Sequence, residues 1–183
     1  MTTGRESPSP RGFPGSPPMR DIRDVRIGSY YPGVIGRIVQ AHAIYYHRHW
    51  GFDISFETQV GCELSDFMRR LVPGRDGFWT AGIHGEFLGA VAIDGGIEDP
   101  DGVRLRWFIV EEEYQGLGAG TLLLREAMDF CTKTGRPDVF LWTFEGLDLA
   151  RKLYERVGFV LSEEHKVEQW GSVITEQKFV RRP

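Results

Sequence analysis

The chain contains only two cysteines, Cys62 and Cys131, and their spacing matches no paired motif. A disulfide framework is therefore excluded, and the fold has to rest on an apolar core. We interpret both cysteines as small buried apolar side chains in a reducing compartment. No metal site is expected either. His47 and His49 are two apart on a predicted helix, so their side chains point in different directions.

Two further absences limit the partners. The chain lacks an excess of basic charge, since 22 Lys and Arg residues stand against 26 Asp and Glu residues, for a net charge of −4. This balance argues against broad electrostatic binding to nucleic acid or to an anionic membrane. No apolar run is long enough to cross a bilayer, and the N-terminus lacks the apolar segment of a signal peptide. We therefore expect a cytoplasmic protein whose partners are small molecules.

The N-terminal segment differs in composition from the rest of the chain. Residues 1–20 hold five of the ten prolines, together with Ser, Gly and Arg. Such a segment buries too little apolar surface to offset the entropy of ordering, so we predict a disordered tail over residues 1–23. An alternative is that the tail docks a partner, which would make the chain an interaction protein. Residues 24–183 are predicted to form a single domain.

Apolar periodicity supplies a coarse map of that domain. Three- and four-residue steps predict amphipathic helices over residues 33–50 and 56–71, the second with Ser55 as its N-cap. An edge strand over residues 24–29 precedes them. After them we predict strands over residues 78–83, 87–94 and up to 110, a helix to about 134, a strand over 139–143, a helix over 147–157 and a closing hairpin over 159–180.

This order of elements predicts a mixed α+β fold. A strand, a helix and a strand in succession imply a right-handed parallel crossover, so the third and fourth main strands lie side by side or splay apart. We expect a cleft at their carboxyl ends.

A glycine-rich loop joins the third of these strands to the next helix. Residues 110–120 read Val-Glu-Glu-Glu-Tyr-Gln-Gly-Leu-Gly-Ala-Gly. Gly116, Gly118 and Gly120 let the backbone approach a ligand closely, and the helix that follows presents its positive end, so an anion is the expected occupant. The loop is not a dinucleotide fingerprint, because Thr121 stands at the last glycine position, and no Gly-Lys-Ser/Thr of a P-loop is present.

The loop resembles the Gln/Arg-x-x-Gly-x-Gly/Ala motif of the GNAT acetyltransferases, with Gln115, Gly118 and Gly120 at its fixed positions. Residues 150–159 are similar to that family's Ala-x-x-Leu-Tyr-x-x-x-Gly-Phe segment. Residues 42–53 and 141–143 resemble a GNAT subgroup often fused to MarR-type regulators. The resemblance runs from about residue 24 to the C-terminus. It implies a mostly antiparallel sheet with helices on both faces and a splayed parallel strand pair.

The resemblance also implies acetyl-CoA as the co-substrate. Its pyrophosphate would lie on the loop, and main-chain groups of the splayed strand would pair with the pantetheine arm. The residues implied by alignment are Phe108, Val110, Gln115, Gly116, Gly118, Ala119 and Gly120. Two departures from the family pattern are Leu147, where many relatives carry Asn, and Glu112, where many carry Pro.

The resemblance places Tyr154 at the position of the general acid. A phenol with a pKa of about 10 is well matched to protonating a thiolate whose pKa is about 8.5. The alternative is that Tyr154 is a core aromatic residue. The base is left open between His47 and His49, because either histidine can take a proton near neutral pH or can simply lie on the surface. Residues 111–113, three glutamates, are interpreted as a solvated turn.

The expected function is acetyl transfer to a primary amine of a small molecule, by direct transfer in a ternary complex. The alternative is a non-catalytic acyl-CoA-binding or sensing module. Aromatic residues predict an acceptor pocket that suits an apolar or cationic group, without identifying it. A homodimer is left open. The predicted pocket residues are Tyr46, Trp50, Phe52, Trp142 and Thr143.

Overall fold

The computed structural model describes residues 21–97 and 99–183. Within them the α+β class predicted from sequence is confirmed. The helices are α1 (Val34–Trp50), α2 (Ile54–Arg70), α3 (Ala119–Lys133) and α4 (Asp148–Arg156). The strands are β1 (Arg26–Gly28), β2 (Gly77–Ile83), β3 (Glu86–Asp94), β4 (Val103–Val110), β5 (Val139–Phe144), β6 (Val160–Gln169) and β7 (Ser172–Arg181).

Seven strands form one sheet in the order β1-β2-β3-β4-β5-β7-β6. Every neighbouring pair is antiparallel except β4 and β5, which are parallel. An apolar core lies on each face. One core packs α3 and Tyr154 of α4 against the sheet, and the other packs α1 and α2 against the opposite face. None of the described helices is both long and apolar enough to cross a membrane.

Local chemistry sets the ends of the first two helices. α1 ends at Gly51, whose φ of 69° lies in the left-handed region and whose N–H donates to the His47 carbonyl. α2 begins two residues earlier than predicted, because the carboxylate of Asp53 accepts a hydrogen bond from the Ser55 backbone N–H at 2.9 Å. The predicted N-cap at Ser55 is therefore wrong, and Asp53 caps the helix.

Two other expectations need correction. Cys131 is buried in α3, but Cys62 is exposed on α2, so only one of the two cysteines is a core residue. The described part of the chain begins near a short 3-10 helix, Ile22–Asp24, whose N-cap Asp21 accepts a hydrogen bond from the Arg23 backbone N–H. Three residues of the predicted tail are thus structured. The remainder of that tail, residues 1–20, lies outside the described residues.

A β-bulge in β4 reorients the strand that leads to the glycine loop. The register with β3 shifts between Ala90 and Ala92, where β4 carries one extra residue. Trp107 adopts a φ of 48°, a left-handed conformation that a bulky side chain rarely enters. Because the bulge shifts the alternation by one, Leu105 packs in the core under α3 whereas Trp107 packs in the core under α1 and α2. Phe108 is thereby turned toward α3 and α4.

The parallel strand pair splays as the sequence predicts. β4 and β5 pair only through Val103 with Val139 and Arg104 with Phe140. β5 then continues along β7 for its whole length. A gap consequently opens between β4 and β5 toward their carboxyl ends, which is where the predicted cleft lies.

Candidate active site

The N-terminus of α3 is open to an anion. The helix begins at Ala119, and its N-cap, Gly118, has a φ of 85° and no side chain to cap the first turn. The first turn also contains no acidic residue. Its leading backbone N–H groups have no acceptor within the helix, and no side chain among the described residues caps the positive end of the helix dipole. A phosphate or carboxylate is the natural complement.

A cavity of about 610 Å³ lies against this helix end, and we name it the loop cavity. Its walls come from β4, the glycine loop, the start of α3 and α4. All of the residues predicted to bind the co-substrate line it, namely Phe108, Val110, Gln115, Gly116, Gly118, Ala119 and Gly120. The structure therefore places the end of β4, the glycine loop and the start of α3 on the surface of one cavity.

Glycine is required at position 120 by close packing. A Cβ there would lie 3.1 Å from Cδ1 of Leu153 and 3.2 Å from Cζ of Phe108. The absence of a side chain lets α3 approach both β4 and α4 at the floor of the loop cavity. At Gly116, by contrast, a Cβ would meet nothing within 4 Å, so the backbone there faces open space.

Two basic residues that the sequence analysis did not single out also line the loop cavity. Lys152 and Arg156 are four residues apart on α4, so their side chains share one face of the helix. Neither forms an ion pair with a residue in the described part of the chain. Their four-residue spacing on the helix that carries Tyr154 is visible in the sequence and could have indicated a basic surface beside the loop. Together with the α3 terminus they make the loop cavity suited to several negative charges.

The edge of β4 that faces the gap carries backbone groups of Phe108 and Val110. The Glu111 N–H donates to the Leu88 carbonyl of β3 at 2.8 Å. Backbone groups alternate between the two edges of a strand, so those of Phe108 and Val110 point the other way, toward β5. One of them is engaged within the chain, because the Val110 carbonyl accepts a hydrogen bond from Nε2 of Gln115 at 3.2 Å.

A second cavity of about 330 Å³, the inter-strand cavity, lies in the gap between β4 and β5. α1, α2 and the turn between β6 and β7 complete its walls. Tyr46 and Phe108 line both cavities, so the two meet at the point where the strands separate.

Tyr154 lies at this junction. It is 5% exposed, its ring packs 5.6 Å from that of Phe108, and it lines the inter-strand cavity. Burial, and to a lesser degree the neighbouring Tyr46, raise the pKa of its phenol above the usual value. No hydrogen bond of the Tyr154 hydroxyl is found among the described residues. The phenol therefore holds its proton at neutral pH.

Comparison with known proteins assigns the chain to a family. The model of the acetyltransferase (GNAT) family matches residues 38–159, about two thirds of the chain. This chain belongs to the GNAT acetyltransferase family. Residues 38–159 accordingly form an acyltransferase domain.

Individual GNAT relatives agree with this assignment. An uncharacterised N-acetyltransferase from Schizosaccharomyces pombe is 32% identical over 123 residues, covering 66% of this chain and 73% of that protein. Another from Methanocaldococcus jannaschii is 28% identical over 131 residues, covering 69% of this chain but only 57% of that protein. The chain thus spans little more than half of the second relative.

The fold is also found in solved structures. A protein assigned as an acetyltransferase from Salmonella typhimurium, solved with its cofactor acetyl-CoA, superposes with a TM-score of 0.65. The superposition covers 87% of this chain and 94% of that chain at 12% sequence identity. At such low identity the likeness shows the GNAT fold alone.

The acceptor-side residues predicted for this GNAT enzyme divide into two groups. Tyr46, Trp142 and Thr143 line the inter-strand cavity. Trp50 and Phe52 do not line it, but their rings pack 5.2 Å and 5.3 Å from that of Phe144, which does. These two residues pack against Phe144 and so stabilise the cavity wall without lining the cavity themselves.

The two histidines proposed as bases lie elsewhere in the GNAT fold. Both are exposed at the end of α1, and neither lines the inter-strand cavity. Nδ1 of His47 lies 2.9 Å from the Phe52 carbonyl oxygen, and Nε2 of His49 lies 2.6 Å from a Glu112 carboxylate oxygen. The structure therefore brings neither histidine to Tyr154.

A different histidine, His42, lines the inter-strand cavity. Its Nδ1 lies 2.8 Å from the Ile38 carbonyl oxygen, which can only accept, so Nδ1 carries the hydrogen and Nε2 keeps a free lone pair. Burial lowers the pKa of the imidazole to about 4. His42 is four residues from both Ile38 and Tyr46, on the apolar face of the predicted helix. This spacing in the sequence indicates a buried position.

The stability of this GNAT domain is expected to fall as the pH drops from about 6.5 to about 4. The unfolded chain protonates His42 near 6.5, whereas the folded chain keeps it neutral down to about 4. Since the unfolded state binds more protons in this window, the free energy of unfolding decreases by up to about 3 kcal/mol. Urea unfolding at pH 7 and pH 4.5 measures the loss.

The matched variants for that measurement are His42→Phe and His84→Asn. His84 is exposed in the turn between β2 and β3, so its replacement should leave the pH dependence unchanged. His42→Phe should lose less stability between the two pH values than the wild type does. An equal loss in His42→Phe and wild type would show that His42 is not the titrating group.

Proposed function

We propose that this GNAT enzyme transfers an acetyl group from acetyl-CoA to a primary amine of a small molecule, by direct transfer in a ternary complex. The observation that carries the proposal is the meeting of the loop cavity and the inter-strand cavity at Phe108, beside the protonated phenol of Tyr154. One cavity suits a polyanionic carrier, and the other suits a second, smaller substrate.

The residues of the loop cavity fit coenzyme A. The uncapped start of α3, with Lys152 and Arg156 opposite, complements its phosphates. The free edge of β4 offers backbone groups of Phe108 and Val110 to the amides of the pantetheine arm. Gln115, Gly116, Gly118, Ala119 and Gly120 would surround the pyrophosphate. The acetyl-CoA bound in the Salmonella typhimurium neighbour supports this choice.

Acetyl-CoA, when bound, supplies an acetyl group activated as a thioester. Tyr154 holds a proton on its hydroxyl oxygen and delivers it to the leaving thiolate, and the proton that the amine nitrogen loses as the amide forms restores the phenol. Because burial raises the pKa of Tyr154, the phenol is fully protonated when an acceptor arrives. Its ring is fixed between Phe108 and Phe159, which keeps the hydroxyl at the junction of the cavities.

We assign His42 to the binding of the acceptor amine. Its Nε2 lone pair can accept a hydrogen bond from an amine N–H and so orient the nitrogen. A pKa of about 4 makes His42 a poor store for a proton at neutral pH. The proton of the ammonium form is therefore lost to solvent rather than to this histidine. His47 and His49 have no part in the proposal, since they lie outside the inter-strand cavity.

Incubation with acetyl-CoA and a broad panel of amines tests the proposal. Mass spectrometry should find an N-acetylated product formed in equal amount to free coenzyme A. Double-reciprocal plots should intersect, as a ternary complex requires, rather than run parallel. Tight calorimetric binding of acetyl-CoA without acetylation of any amine would overturn catalysis and favour an acyl-CoA-binding module instead.

A further inference from the structure

Arg104 is a half-buried cation whose side chain forms no ion pair and no hydrogen bond within the described residues. It lies on β4 at the last position paired with β5, and its side chain lines the inter-strand cavity. Its Nε is buried and has no hydrogen-bond partner. No ion pair to Arg104 is found among the described residues either. An arginine does not lose its proton in proteins, so this guanidinium stays charged inside the cavity.

The charged neighbours of Arg104 are already engaged with other groups. Arg106 pairs with Glu63, and lies 3.4 Å from the buried carboxylate of Asp94. Glu176, the other acidic residue that lines the cavity, lies 3.3 Å from Nε2 of His165. Burial, and then the like charge of Arg106, lower the pKa of Arg104 below its usual value. The carboxylates of Glu63, Asp94 and Glu176 offset part of this lowering from a distance, but none of them forms an ion pair with Arg104.

An unpaired buried charge is costly unless something else neutralises it. A negatively charged group on the substrate would neutralise the guanidinium and remove this cost. Because the planar guanidinium matches a carboxylate with two parallel N–H donors, a carboxylate is the group that fits best.

Resting on the function proposed above, we propose that the acceptor is a small amine that also carries a carboxylate, and that Arg104 binds this carboxylate. The amine would lie beside Phe108 and Tyr154. Phe108 is four residues along β4 from Arg104, a span of at most about 13 Å that the bulge at Trp107 shortens, and the long arginine side chain covers part of it. A cavity of about 330 Å³ between these points suits a molecule of amino-acid size.

A carboxylate on the acceptor narrows the class of acceptor that the sequence predicts. Aromatic residues alone suggested an apolar or a cationic acceptor, and the cavity does have the aromatic walls Tyr46, Trp142 and Trp170. A diamine would bring a second positive charge toward Arg104, which is repelled at short range. An amino acid with an apolar side chain would satisfy both the aromatic walls and the guanidinium.

The test compares amines that differ only in the carboxylate. Methionine, phenylalanine and leucine are each paired with their carboxamide, and kcat/KM is measured for each. We expect the acid to exceed its amide by at least about tenfold, the scale of a charge-assisted bidentate contact. Without the enzyme's preference, the carboxamide would be expected to react faster than the acid, because its amino group loses a proton more readily. Amides that are acetylated as fast as the acids would overturn the carboxylate proposal and leave acetyl transfer standing.

Variants assign the preference to Arg104. Arg104→Gln should bring acid and amide to within about twofold of each other, and Arg104→Lys should keep part of the preference because it keeps the charge. Arg69→Gln is the control, since Arg69 is an exposed residue of α2 paired with Asp66. A preference that persists in a folded Arg104→Gln protein would contradict the assignment. If that variant does not fold, the wild-type pairs still decide whether a carboxylate is required.

A binding measurement separates this proposal from failure of catalysis. Calorimetry with the protein saturated by coenzyme A, titrated with each α-amino acid and with β-alanine, reports binding without turnover. Binding that is lost in Arg104→Gln would support the carboxylate site even in a protein that acetylates nothing. Absence of both binding and acetylation for every acid would overturn it.

Discussion

Tyr154→Phe is expected to lower kcat by roughly ten- to ten-thousand-fold, the usual range for loss of a general acid, while the dissociation constant for acetyl-CoA changes little. The substitution keeps the ring and its contacts with Phe108, Phe159 and Phe179, and removes only the hydroxyl. Steady-state rates and calorimetric binding on the same preparation separate the two effects.

Tyr31→Phe is the matched control for that experiment. Tyr31 is 40% exposed and lies before α1, away from both cavities, so its hydroxyl has no reason to affect kcat. A folded Tyr154→Phe protein with full kcat would remove Tyr154 from the mechanism. A Tyr154→Phe protein that fails to fold would instead support the interpretation of Tyr154 as a core residue.

Gly118→Asp is expected to weaken acetyl-CoA binding by at least about 100-fold, which corresponds to about 3 kcal/mol. The change places a carboxylate at the start of α3, where it would occupy the anion site and repel the phosphates. It also forces a side chain onto a residue with a φ of 85°, and its Cβ would lie 3.0 Å from Cδ1 of Ile22. Calorimetry with acetyl-CoA measures the loss.

Two further variants separate charge from strain in that prediction. Gly118→Ala adds the strain without the charge and should weaken binding much less. Gly135→Asp adds a carboxylate to a glycine of similar φ, 71°, just after α3, where a Cβ meets nothing within 4 Å. Unchanged acetyl-CoA affinity in a folded Gly118→Asp protein would refute the assignment of the loop.

Much of the loop cavity could be predicted from sequence, because its determinants are local. Three glycines before a helix define a backbone shape by themselves, and the seven predicted residues all line the loop cavity. The fold class followed in the same way from the order of periodic segments. Lys152 and Arg156 were missed although their spacing was visible, since two basic residues on a helix are usually only a solvated face.

The acceptor side could be predicted much less well, because it depends on contacts between distant segments. Arg104 is one arginine in a strand with alternating charge, and nothing local shows that its neighbour Arg106 takes the available carboxylates. No glycine or proline near Trp107 indicates the bulge in the sequence. Which of His42, His47 and His49 reaches the cavity depends on how α1 rotates against the sheet.

The short contact between β4 and β5 divides the sheet into two unequal plates. β1 to β4 form one plate, β5 to β7 form the other, and the seam between them consists of two residue pairs at one end. An extended ligand lying in the open part of the seam would act as a surrogate strand and complete the hydrogen bonding across it. The hydrogen bonding would then run across the full width of the sheet only while the ligand is bound, so we expect binding at this site to make the whole sheet more rigid.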